Sequence, residues 1–263
     1  KAKAHGIDTM LDATTFDLGR DPALLQTVSA VSGVNLINVT GWWLDVPRFM
    51  HGVGASQMAD EFIKDLSEGF RGTNIKAGML KCAADFEGVT PPLETMARAV
   101  ARAHLQTGVP IMVHSYPTGH VARRQIAIFK EEGVDLGKVK IDHSNDTTDT
   151  EYLTWILDQG CFLGLDRYPG RLVSPHMRTR TLKTLMDMGY GERLCPSHDC
   201  ICLHIHNEQP DGSIAAQHDF HKSNPDQYLY MHRHVIPELH ALGATERDIE
   251  MLFIDNPRRL FEA

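Results

Sequence analysis

The chain has 263 residues, 42% of them hydrophobic, which suits one large domain over residues 1–263 with a sizeable core. Lys and Arg total 26 against 34 Asp and Glu, a formal net charge of −8, and no long basic run argues for a nucleic-acid partner. No apolar stretch approaches the roughly 20 residues that span a bilayer, and no apolar segment of signal-peptide kind follows the N-terminus, so a cytoplasmic protein with no membrane partner is expected.

Strand-length apolar runs alternate with segments of helical period. Strands are predicted at 7–13, 36–41, 77–83, 110–114, 139–143, 162–166 and 193–199. Most are continuous apolar runs, as parallel strands covered on both faces should be. A helix opened by Asp21 and Pro22 runs to Ser32, and others are predicted at 56–70, 92–107, 121–132, 149–159, 179–188 and 227–242. Gly108, Gly133, Gly160, Gly189 and Gly243 close the last five of these, the helix–glycine–strand punctuation of a parallel α/β protein. Seven strands fit an open doubly wound sheet, whereas a closed barrel needs eight. Residues 2–5 read as the last turn of a helix capped by Gly6. The expectation is therefore a (β/α)8 TIM barrel with seven strands visible and its first βα unit missing.

Five cysteines without a repeated pattern predict free thiols in a reducing compartment rather than a disulfide framework. The irregular stretch 201–225 reads as a functional loop, and His204 and His206 within it as loop residues near the pocket mouth. Polar residues collect at the ends of the apolar strands: Lys81, then His114, then Asp142-His143-Ser144, then His198-Asp199. Each alone has an ordinary explanation: a hydrogen-bonded core histidine, a lysine reaching solvent, an aspartate capping a helix. Strand ends of a barrel converge on one face, however, and catalytic groups come from several of them. Two imidazoles and a carboxylate suit Zn²⁺, Mn²⁺, Fe²⁺ or Co²⁺. A desolvated Lys81 would be a neutral amine able to react with CO₂ or a carbonyl. His198, a strand neighbour of Asp199, is expected to point the other way.

Six stretches, in order along the chain, carry a resemblance: Thr15-Phe16-Asp17-Leu18-Gly19-Arg20-Asp21, Ile75-Lys76-Ala77-Gly78-Met79-Leu80-Lys81, Thr107-Gly108-Val109-Pro110-Ile111-Met112-Val113-His114, Asp142-His143-Ser144-Asn145-Asp146-Thr147, Gly164-Leu165-Asp166-Arg167-Tyr168 and Asn256-Pro257-Arg258-Arg259-Leu260. The chain resembles the phosphotriesterase family of the amidohydrolase superfamily, in its lactonase branch, from about Ala2 to Phe261. The resemblance implies two divalent metal ions, zinc first and Mn, Co or Fe otherwise. They would be bridged by Lys81 as a CO₂-derived carbamate, with His114 and His143 on the more exposed metal and Asp199 on the more buried one. It implies a metal-bound hydroxide attacking a lactone or ester carbonyl, with weak phosphotriesterase activity besides. Asp146 would relay the proton from Asp199. Arg167 and Tyr168 would mark the lactonase branch, and Trp43 and Tyr116 would line the substrate pocket; barrel-end packing is the other reading of Trp43. Barrels of this class are often homodimers, and no interface is legible here.

One departure stands out. The family's first strand carries His-x-His, which is absent at that position, and His204-Ile205-His206 lies in the late loop instead. Without those ligands, this chain is expected to bind metal poorly and hydrolyse little. The alternatives are an inactive relative serving as a ligand- or partner-binding barrel and, more weakly, a lyase or isomerase using Lys81 as a Schiff base.

Overall fold

The computed structural model describes residues 1–170, 172–201 and 224–262. His204, His206, Cys202 and most of the predicted late loop lie outside the described residues. Among the described residues seven parallel strands form one sheet in chain order: β1 Thr9–Asp12, β2 Asn35–Gly41, β3 Met79–Ala83, β4 Ile111–His114, β5 Val139–Ile141, β6 Phe162–Leu165 and β7 Leu194–Pro196. Between them run α1 Pro22–Ser32, α2 Ala55–Ser67, α3 Pro91–Thr107, α4 Ala122–Glu132, α5 Thr150–Asp158 and α6 Pro175–Leu185. The sheet curls as a half-barrel of the (β/α) TIM-barrel kind, and no ladder joins β1 to β7 among the described residues. All seven predicted strands are present, each shortened at one or both ends except β2.

Local chemistry explains the punctuation. The Asp21 carboxylate accepts from the Leu24 amide to start α1, Asp149 does the same for Tyr152 at α5, and the Ser174 hydroxyl for Met177 at α6. Gly108 and Gly133 leave α3 and α4 in the left-handed conformation that glycine adopts without a Cβ penalty.

The sheet has a core on each face. Outside, Leu80, Cys82, Ile111, Val113, Val139, Ile141, Leu163 and Leu165 pack under helix residues such as Met96, Val100, Ile126 and Phe129. Inside, Val39, Met79, Met112 and Phe162, with Leu11 and Cys195 beside them, close around Leu260 from the C-terminal helix Asn256–Phe261. Registered partners share a face, so the row Lys81–Met112–Lys140–Phe162 lies on the inside. The inner apolar cluster is thus the floor on which the polar strand ends stand. Phe129 is fully buried on α4. Phe129→Ala should cost about 3–5 kcal/mol through lost transfer energy and the cavity left behind, read as a lower urea midpoint. A cost below about 1 kcal/mol would contradict this packing.

Three regions differ from expectation. No residue of α1 is buried, and Leu24, Val28 and Val31 are exposed; among the described residues β1 is an edge strand of the sheet. The helix expected at 179–188 begins earlier, at the Ser174 cap, and ends in a wide turn through Gly189, whose φ is 92°. The helix expected over 227–242 is broken into Gln227–Leu229, a wide turn Met231–Val235 and Ile236–Ala241. Pro237 has no amide to donate, and the wider turn before it accommodates the loss. The same device recurs at Met251–Asp255, before Pro257.

Candidate active site

Lys81 projects from β3 onto the inner face and is 7% exposed. Its Nζ donates to the Ala13 carbonyl oxygen, 2.9 Å away, just past the end of β1. The backbone of β2 passes so close that a Cβ at Gly41, whose φ is 116°, would overlap the Lys81 carbonyl. Burial lowers the Lys81 pKa, although the carboxylates of Asp199, Asp142 and Asp166 oppose the shift.

His114 ends β4, and His143 follows β5 in a left-handed backbone conformation, φ 61°. That conformation is uncommon outside glycine and is held by the strand-end contacts around it. The His143 amide donates to Asp166 Oδ1 (2.7 Å), and the Ser144 hydroxyl donates to the Ile141 carbonyl (2.8 Å). The imidazoles meet with His143 Nε2 2.6 Å from His114 Nδ1. Each ring has a carboxylate at its other nitrogen: Asp85 Oδ2 lies 3.1 Å from His114 Nε2, and Asp166 Oδ2 lies 3.3 Å from His143 Nδ1. The second contact is an ion contact without hydrogen-bond alignment. Asp199 Oδ2 stands further out, 3.9 Å from the same nitrogen.

This arrangement constrains the protons. Burial pushes His114 down to about 4, against the Asp85 hydrogen bond, so the ring is neutral near pH 7. Its Nε2–H donates to Asp85, which leaves Nδ1 as the acceptor that faces His143 Nε2 and the Trp43 Nε1–H. Burial works against charge on His143 too, but the facing Asp166, with Asp199 behind it, outweighs burial and raises the His143 pKa. Asp166 is held well below the usual carboxylate range by His143, Lys140 and Arg167, despite its own burial. A hydrogen on His143 Nε2 therefore lies between the two rings, at the place where a metal ion could displace it. A carboxylate behind each imidazole is the support that metal-ligating histidines ordinarily have. Two nitrogens at about 2.1 Å from a common tetrahedral ion lie about 3.4 Å apart, so the rings would need to part by less than about 1 Å. Among the described residues no three His, Cys, Asp or Glu side chains gather tightly enough to hold a metal unaided.

Around this pair the other expected residues are placed unevenly. Trp43 is half-buried, and its Nε1–H lies 3.2 Å from His114 Nδ1, so it packs edge-on against the imidazole. Arg167 Nη1 donates to Asp146 Oδ2 (2.7 Å), and its Nε lies 3.4 Å from Asp199 Oδ2. Arg167, Asp146 and Asp199 therefore meet. Tyr116 is half-buried and packed against the outer core. Tyr168 is 1% exposed, stacked on Tyr230 rather than presented to an open surface. His198 turns its ring to Tyr228, away from the two histidines. Cys82, Cys161 and Cys195 are free thiols.

Four groups at the site were not singled out from the sequence. Asp166 ends β6 as His114 ends β4, and that placement was a usable signal. Asp85 and Arg178 act across loops, which no local pattern reveals. Lys140 is a second buried lysine inside the barrel, paired with Asp142. Burial works against its charge, yet Asp142 and Asp166 together raise its pKa. A Cβ at Gly164 would overlap the Asp142 carboxylate, so this glycine makes room for the pair.

Comparison with known proteins agrees with this geometry. The phosphotriesterase family model matches residues 1–261. A phosphotriesterase homology protein of Mycobacterium tuberculosis is 36% identical over 271 residues, covering 99% of this chain and 81% of that protein. An aryldialkylphosphatase of Saccharolobus solfataricus is 36% identical over 265 residues, covering 99% and 82%. An N-acetyltaurine hydrolase of Dictyostelium discoideum is 28% identical over 272 residues, covering 98% and 70%. With a family match from end to end and a parallel barrel sheet whose strand ends carry Lys81, His114 and His143, the chain belongs to the phosphotriesterase family.

Proposed function

We propose that the chain is a metal-dependent hydrolase opening a lactone or another carboxylic ester, with weak activity on phosphotriesters. The observation that carries this reading is the buried imidazole pair, 2.6 Å apart and backed by Asp85 and Asp166. Relatives named aryldialkylphosphatase and N-acetyltaurine hydrolase support a hydrolytic reaction. His114, His143, Asp199 and a carbamate on Lys81 would hold two divalent cations, zinc by preference and Mn, Co or Fe otherwise. Such ions supply an acidified water and polarise the carbonyl or phosphoryl oxygen under attack.

The remaining work falls to the chain's own side chains. As a neutral amine Lys81 can attack CO₂, forming an N–C bond and releasing a proton. Asp85 and Asp166 orient the two imidazoles. Asp199 stands beside His143 and Arg167, where it can accept a proton from the attacking water, and Asp146, on the other side of Arg167, is the adjoining carboxylate. The Arg167 guanidinium can donate to an ester oxygen, and Trp43, edge-on to His114, can form an apolar wall. Elemental analysis after purification with Zn²⁺ and bicarbonate tests this, followed by lactones of varied ring size and chain length. About two metal ions per chain with lactone turnover would mean that the site is completed without the His-x-His ligands. Metal near zero together with no turnover above a Lys81→Ala control would sink the reading.

A further inference from the structure

We propose that Arg178 is a positioning residue of this site, holding Asp146 so that Arg167 is fixed beside Asp199. Its side chain has no solvent exposure. All three guanidinium nitrogens are engaged. Nε donates to the Val173 carbonyl (3.0 Å), Nη1 to the Asn145 carbonyl (2.5 Å) and Nη2 to Asp146 Oδ1 (2.6 Å). The other Asp146 oxygen accepts from Arg167 Nη1, and the Asn145 side-chain oxygen accepts from the Arg167 amide (3.1 Å). One buried cation therefore grips both residues that hold Arg167, and Arg167 is the group touching Asp199.

Two features argue that this placement is not for stability. Arg178 lies in the first turn of α6, where a cation opposes the helix dipole. Buried ion pairs also contribute little net stability, and apolar replacements of similar volume often fold as well or better. The fold nevertheless makes room for it: Gly170, φ 69°, lies so close that a Cβ there would overlap the guanidinium. Arg178 joins the loops after β5 and β6 through bonds whose directions the planar guanidinium sets. Lysine keeps the charge but cannot reproduce that geometry.

The catalytic part of this proposal rests on the hydrolase reading above, and the clamp itself does not. Arg178→Lys and Arg178→Met would be compared with the wild-type chain by thermal unfolding, amide hydrogen exchange and lactone kinetics. For Arg178→Lys the expected result is a folded protein, faster exchange confined to the amides of 145–147 and 167, and kcat lowered at least about 10-fold with KM within about 3-fold. Unchanged exchange at those amides overturns the clamp. Unchanged kcat with faster exchange overturns the positioning role. If the wild-type chain turns over no lactone, the hydrolase reading fails, and the exchange data alone decide the clamp. Arg178→Met guards against misreading a folding defect: loosening throughout the chain in both variants would make Arg178 merely structural.

Discussion

Lys81→Met is expected to leave the fold intact, reduce bound metal and lower lactone turnover at least about 1,000-fold, equivalent to about 4 kcal/mol of transition-state stabilisation. Methionine matches the length and volume of the buried lysine stem but has neither an amine for CO₂ nor a charge. The substitution therefore separates chemistry from packing. Lys81 is 7% exposed, and its Nζ has the Ala13 carbonyl as a partner, so the cost of leaving that carbonyl unpaired falls in the range of about 1–3 kcal/mol. Against this, the desolvation that lowers the lysine pKa is relieved. The sign of the pH dependence follows from that lowered value. The unfolded chain holds the Lys81 proton up to about 10.5, whereas the folded chain releases it at lower pH. Between those two values the unfolded state binds more protons, so the wild type gains stability as pH rises and Lys81→Met lacks that gain. Denaturant unfolding at several alkaline pH values reads the difference directly. Turnover within about 10-fold of wild type would remove Lys81 from the chemistry.

The sequence exposed the site's framework because parallel strands buried on both faces are apolar throughout, so a Lys or His at their ends stands out. Lys81, His114 and His143 were visible for that reason. The shortening of the strands at 139–143 and 193–199 has a common cause. His143 and Asp199, beyond the ends of β5 and β7, take left-handed backbone conformations that no strand continues through. The groups that tune the site were hidden. Asp85 reaches His114 across 29 residues and Arg178 reaches Asp146 across 32, and such pairings exist only after the barrel has closed around them. An arginine one turn into a helix looks like a solvated surface residue until its position is known. The C-terminal helices were missed although Thr245 and Asp248 form a capping box that could have revealed the first of them. The exposed stripe on α1 was unreadable for the opposite reason: a helix with apolar residues on one face normally buries that face, and Leu24, Val28 and Val31 here are exposed.

Asp199→Asn is expected to lower kcat about 100- to 1,000-fold while barely changing the unfolding midpoint. The geometry makes this a clean substitution. Asp199 has a φ of 40°, in the left-handed region where Asn is among the few residues at ease, so the backbone need not move. The side chain is 38% exposed, and little packing depends on it. The change removes one negative charge and one acceptor and leaves the volume unaltered. Arg167 loses an ion contact at 3.4 Å but keeps Asp146 at 2.7 Å, so its position survives. His143 keeps Asp166 at 3.3 Å. A loss of kcat with KM little changed then points to the transition state rather than to substrate binding. A parallel loss of bound metal would add the metal-holding role. Wild-type kcat in Asp199→Asn would remove this residue from the reaction and transfer the proton-accepting role to Asp166, the other carboxylate within reach of His143.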